Sequence, residues 1–225
     1  MNKYRKIAIA IIVLTVILAF WLYGTEYSSS AEPQKISETL TDYLFNDDVQ
    51  VTVIQTEKID NRMLVSFTDK RYENFMGLAV FKRGLNLRWL PLSANYSSGI
   101  SVEAHPFTIG SKDYVAIYGI NCVPNITYYE YVTTDSNPEI LYSNSVSESN
   151  FIDIYEFKTG YWPKLRLFDS VGNDLAPELR KSRVNQNIPS VGVGTAEDFM
   201  INVFCLFILL IGFAIARFFW IFKPE

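Results

Sequence analysis

Between Lys6 and Glu26 the chain runs for 19 residues without a charge, and between Asp198 and Arg217 it does so for another 18. From Ile7 to Tyr23 nearly every side chain is apolar, so no polar face is left to meet water, as the surface helix of a soluble domain would require. At about 1.5 Å of helical rise per residue, each run matches the roughly 30 Å hydrocarbon core of a bilayer. The second run continues past Arg217 through Phe218, Phe219, Trp220, Ile221 and Phe222. The sequence thus predicts transmembrane helices at 7–24 and 199–222, with basic residues 1–6 before the first and a tail at 223–225.

Charge around the first run predicts orientation. Lys3, Arg5 and Lys6 precede it, and Glu26 and Glu32 follow before the next base, Lys35, which places the N-terminus in the cytosol. Two spans then return the C-terminus to the cytosol and leave residues 25–198 outside. Arg180, Lys181 and Arg183 oppose this arrangement, but a loop this long translocates largely regardless of charge. A cleaved signal peptide ending near Ser29-Ser30-Ala31 is the competing reading; the long apolar run and its bulky end at Trp21, Leu22 and Tyr23 favour a retained anchor.

The region between the spans carries its own constraints. Cys122 lies in it and Cys205 within the second span, so the two are not expected to pair, and the domain has to fold without disulfides. A cysteine-poor outer domain fits a bacterial plasma membrane, particularly a Gram-positive cell envelope. Residues 24–198 hold 23 acidic and 15 basic side chains, which argues against nucleic acid as a partner.

Within 25–175 the pattern is mainly β. Pro33, Ile36, Leu40, Tyr43 and Leu44 predict one short amphipathic helix ending near Asn46. Alternation at Val51 and Val53, at Met63, Val65 and Phe67, at Leu78 and Val80, and at Leu85, Leu87 and Trp89 predicts an antiparallel meander. Residues 33–98 are therefore expected to form a helix on a sheet. Strands at 100–102, 114–120, 126–132, 151–157 and 165–168 make 99–175 a second, sandwich-like β half. Residues 176–198 read as a juxtamembrane linker. The expected class is an α+β, mainly β extracytoplasmic domain flanked by two transmembrane helices.

Chemistry is sparsely encoded. His105 is the one imidazole, expected in a strand-ending turn, and no ligand spacing accompanies it, so neither a metal nor another cofactor is expected. Its only thiol partner would be Cys122, the minimum for a hydrolase or transferase; a carboxylate is the other option, and neither pair sits in a catalytic motif. Asp47 with Asp48, and Asp169 with Asp174, fall where turns need Asp for backbone reasons. Two weaker signals concern binding. If Ile126, Tyr128 and Val132 form the core face of their strand, Tyr129 and Tyr131 are exposed and available to a ligand or partner, in a region that also holds Tyr155, Tyr161 and Trp162. Gly212 and Ala216 form a small-x-x-x-small pair that lets another helix approach the second span. The expected role is a non-enzymatic binding, sensing or accessory module in contact with the bilayer and with another integral membrane protein; a structural spacer is the third reading.

Overall fold

In the computed structural model the described residues are 3–44, 50–70, 75–98, 101–122, 125–134, 137–157, 163–179, 191–193 and 196–221. Asn46, the Asp47 and Asp48 pair, Ile100, Tyr161, Trp162 and the basic cluster at 180–183 lie outside them. Helix α1 spans Lys3–Glu26 and α2 spans Pro33–Tyr43; eleven strands follow among the described residues, and α3 spans Ala196–Ile221. Both α1 and α3 are long and apolar enough to cross a membrane.

Why the middle of the chain stacks in layers is clearest at β2 (Arg62–Asp69). Its Met63, Val65 and Phe67 enter one core and its Leu64 another, so both faces are buried. With β1 (Val51–Ile59), β3 (Phe75–Arg83), β4 (Trp89–Ser98) and β11 (Val191–Val193) it forms a five-stranded antiparallel sheet ordered β1-β2-β3-β4-β11. Helix α2 covers one face of this sheet. Pro33 sits in its first turn, where the missing N–H costs nothing, and Ile36, Leu40 and Tyr43 are buried against the strands. Side-chain bonds fix the helix: the Ser37 hydroxyl donates to the Val51 carbonyl, the Thr41 hydroxyl accepts from the Val51 N–H, and Tyr43 donates to the Leu92 carbonyl.

The opposite face meets a middle sheet of β5 (Val102–Ile109), β6 (Lys112–Gly119) and β9 (Phe151–Phe157), ordered β5-β6-β9. Leu64, Met76 and Leu78 pack there against Ala116, Tyr118 and Ile152. Beyond it lies an outer sheet ordered β10-β7-β8, from β7 (Tyr128–Val132), β8 (Ile140–Ser145) and β10 (Lys164–Phe168). The two halves are thus separate sheets sharing a core, in the order helix, sheet, sheet, sheet.

Several expectations need correction. Leu85 and Leu87 belong to an exposed turn, and β4 begins only at Trp89, after the Lys82-Arg83-Gly84 break read as the turn. His105 is in the middle of β5, opposite Ala116, because the strand runs on through Pro106 to Ile109. Strands β8 and β11 were not expected at all, and β11 falls within the predicted linker.

Candidate functional site

Helices α1 and α3 pack side by side, antiparallel. At the middle of the pair, a Cβ on Gly212 would fall 2.1 Å from Thr15 Oγ1, so any larger residue would push the helices apart. Ala216 is buried too, as are Ala8 and Ala19 on α1. The helix that exploits the small pair in α3 is therefore the chain's own α1. Toward one end, the Cys205 thiol lies 3.6 Å from the Ala19 carbonyl; toward the other, the Arg5 guanidinium stands 5.3 Å from the centre of the Trp220 ring. The remaining surfaces, Val13, Leu14, Ile17 and Leu18 on α1 and Phe204, Phe207 and Ile211 on α3, are exposed and apolar.

The sheets meet this pair at the C-terminal end of α1. Tyr23 and Tyr27 stack with ring centres 4.5 Å apart, and Tyr27 joins Leu90, Leu92 and Ile201 in a small core that Tyr23 and Cys205 border. Beyond the helix, Ser29 exchanges backbone hydrogen bonds of 3.3 and 2.9 Å with Trp89. The β3–β4 connection, residues 84–88, also rests on α1. Gly84 lies flat on the Tyr27 ring, where a Cβ would come within 2.4 Å. The Leu85 N–H donates to the Tyr23 hydroxyl at 2.9 Å, and the Asn86 amide donates to the Tyr27 carbonyl at 2.8 Å. Gly84 and Arg88 close a three-residue loop through a 2.8 Å bond, with Leu87 left-handed at φ 63. Glycine is the usual occupant of that position; a leucine there costs about 1–2 kcal/mol.

Tyr129 and Tyr131 are not on a solvent face. They are 0% and 5% exposed, in the core between the middle and outer sheets with Ile117, Val115 and Leu167. The outward face of β7 carries Tyr128 and Glu130 instead: Tyr128 packs on Phe168, and Glu130 pairs with Arg166 at 3.2 Å. The Tyr129 hydroxyl donates to Asp153 at 2.5 Å and lies 2.8 Å from the Tyr155 hydroxyl, while Asn144 donates to the same carboxylate oxygen at 3.2 Å. Burial, reinforced by Asp153, pushes the Tyr129 phenol far above its usual range. This tyrosine stays neutral and serves as a donor, not as a base.

His105 and Cys122 fall on different sides of the middle sheet. His105 is bonded across the layer to β4, its Nδ1 accepting from the Asn95 amide at 2.8 Å, and burial holds its pKa below the ordinary imidazole value. Cys122 packs in the next layer with Val115, Ile117 and Tyr129, its sulfur donating to the Ser149 carbonyl at 3.0 Å. Asp169 serves its turn, accepting from the N–H groups of Val171 and Asn173. No group of three or more His, Cys, Asp or Glu is placed to hold a metal among the described residues.

No family model, curated protein or solved structure matches this chain. Sequence reasoning passed over two participants in the junction. Thr15, the hydroxyl within an otherwise apolar run, marks where α3 approaches. The Lys82–Arg88 segment, with three cations and a glycine in seven residues, was read as strand and turn because Leu85 and Leu87 alternate.

Proposed function

We propose that the chain is a two-span plasma-membrane protein of a bacterial, Gram-positive type of envelope, with both termini cytosolic and residues 25–198 outside. In this reading its β-rich region is a non-enzymatic binding, sensing or accessory module of a membrane complex. The observation that carries the reading is the stitching of the sheets to the helix pair: the Ser29–Trp89 bridge, the Tyr27–Ile201 core and the β4–β11 pairing just before α3. A module whose outer occupancy is to be felt among the helices needs close attachment of this kind. Because α1 already occupies Gly212, a partner helix would use the exposed apolar flanks of the pair. Affinity purification of the full chain at native abundance from a mild detergent extract is the test. A stoichiometric integral membrane partner is expected; recovery of the chain alone overturns the accessory role.

A further inference from the structure

We infer that the β3–β4 connection, residues 84–88, together with the end of β3 at Lys82 and Arg83, is a lipid-contacting loop. In this assignment Leu85 and Leu87 sit in the acyl boundary of the leaflet from which the sheets emerge, and Arg83 and Arg88 lie against anionic lipid phosphates. The inference rests on α1 spanning the bilayer. Three independent features of the loop carry it.

The first is position. The loop hydrogen-bonds to Tyr23 and Tyr27 in and just after the last turn of α1, and Tyr23 ends the apolar run. Tyrosines at the end of a membrane helix sit at headgroup level, so a backbone N–H bonded to the Tyr23 hydroxyl is held at that depth. The second is exposure. Leu85 is 91% and Leu87 66% exposed, and Leu87 occupies a left-handed position that glycine or asparagine would take without strain. A single exposed leucine is unremarkable; two adjacent to a bilayer are placed to bury their side chains in it. The third is charge. Lys82, Arg83 and Arg88 lie within seven residues that contain no acid, on a region carrying 23 acidic and 15 basic side chains. Arg83 and Arg88 are both exposed, and long cationic side chains beside inserted leucines reach phosphates while their stems stay in the interface.

The consequence is a third attachment of the sheets to the membrane, beside the two helices, fixing how the layers lean over the bilayer. The full chain, with Cys122 and Cys205 replaced by Ala, is labelled with an environment-sensitive bimane at one introduced cysteine and reconstituted in phosphatidylglycerol vesicles. Three sites are compared: Leu85→Cys in the loop, Val13→Cys on α1 and Val171→Cys in the exposed turn after β10. Nitroxide carried on the lipid chains is expected to quench Leu85→Cys severalfold more than Val171→Cys, with iodide in the buffer showing the reverse order. Adding Arg83→Gln and Arg88→Gln, or changing to phosphatidylcholine, is expected to weaken lipid quenching at Leu85→Cys. Equal behaviour of the Leu85 and Val171 labels, with Val13→Cys quenched by lipid, overturns the loop assignment and leaves the spanning reading intact. An unquenched Val13→Cys overturns both. Lipid quenching at Leu85 that neither the arginine changes nor the neutral lipid alters overturns the phosphate contact.

Discussion

The two layers on either side of the middle sheet are built from different chemistry. Toward the helix-covered sheet the contacts are mostly aliphatic, Leu64 and Leu78 against Ala116 and Ile152, with Tyr118 among them donating its hydroxyl to Glu103, and with His105 and Asn95 bridging the layer. Toward the outer sheet, tyrosines fill the space, and the Tyr129 hydroxyl bonds both Asp153 and the Tyr155 hydroxyl. An aliphatic layer draws its stability from area removed from water and is sensitive to volume; a tyrosine layer adds that area to a requirement that each hydroxyl find a partner. The same requirement is unmet at Ser66, whose buried Oγ has no hydrogen-bond partner among the described residues. That arrangement costs about 1–3 kcal/mol where it occurs.

The contrast makes Leu78→Ala the more damaging change. It removes a fully buried side chain between two packed sheets, and a loss of about 2–5 kcal/mol is expected in urea unfolding of the full chain in detergent. Tyr129→Phe keeps the ring stacked on Phe151 and deletes only the hydroxyl, leaving Asp153 with Asn144; about 1–2 kcal/mol is expected in the same assay. A reversal of that order would mean that the tyrosine layer depends on its hydrogen bonds more than on its volume. The smallest effect concerns pH. Burial lowers the His105 pKa in the folded chain, so the unfolded chain takes up a proton that the folded one resists. Its contribution is complete above the unfolded value near pH 6.5 and is lost as pH falls from there through the folded pKa. His105→Gln should flatten the decline in melting temperature between neutral pH and about pH 5 relative to the unaltered chain; parallel declines would remove His105 as a source of it.

Legibility followed the strength of each local pattern. The apolar helices α1 and α3 and the amphipathic α2 carry uniform patterns, and β2 and β3 carry long apolar runs, so their existence could be read directly. Strand β8 offers Ile140, Leu141 and Tyr142 before turning polar, too short a run to distinguish from a loop. Strand β11 is three residues around Gly192, and its identity as a strand comes from β4 alone. The face of β7 was misjudged for a different reason: both alternating sets contain tyrosine, and Ile126 and Val132 outweighed the charged Glu130, which shares the Tyr128 face and marks it as the outward one. His105 was read as ending a strand because Pro106 follows it. Its observed partner across the layer, Asn95, belongs to a different sheet, and no spacing in the sequence announces that pairing.

Strand β4 gives the molecule a mechanical character. Its first residue, Trp89, is bonded to the stretch leaving α1, and farther along, Ala94 to Tyr96 are bonded to the strand preceding α3. One rod thus carries both hinges of the helix pair. Spreading the two helices at their sheet-side ends would have to shear backbone ladders along β4, whereas tilting the pair as a unit leaves every one of those bonds unchanged. A load applied to the sheets is accordingly delivered to the helix pair as a lean of both helices in concert, with little scissoring between them.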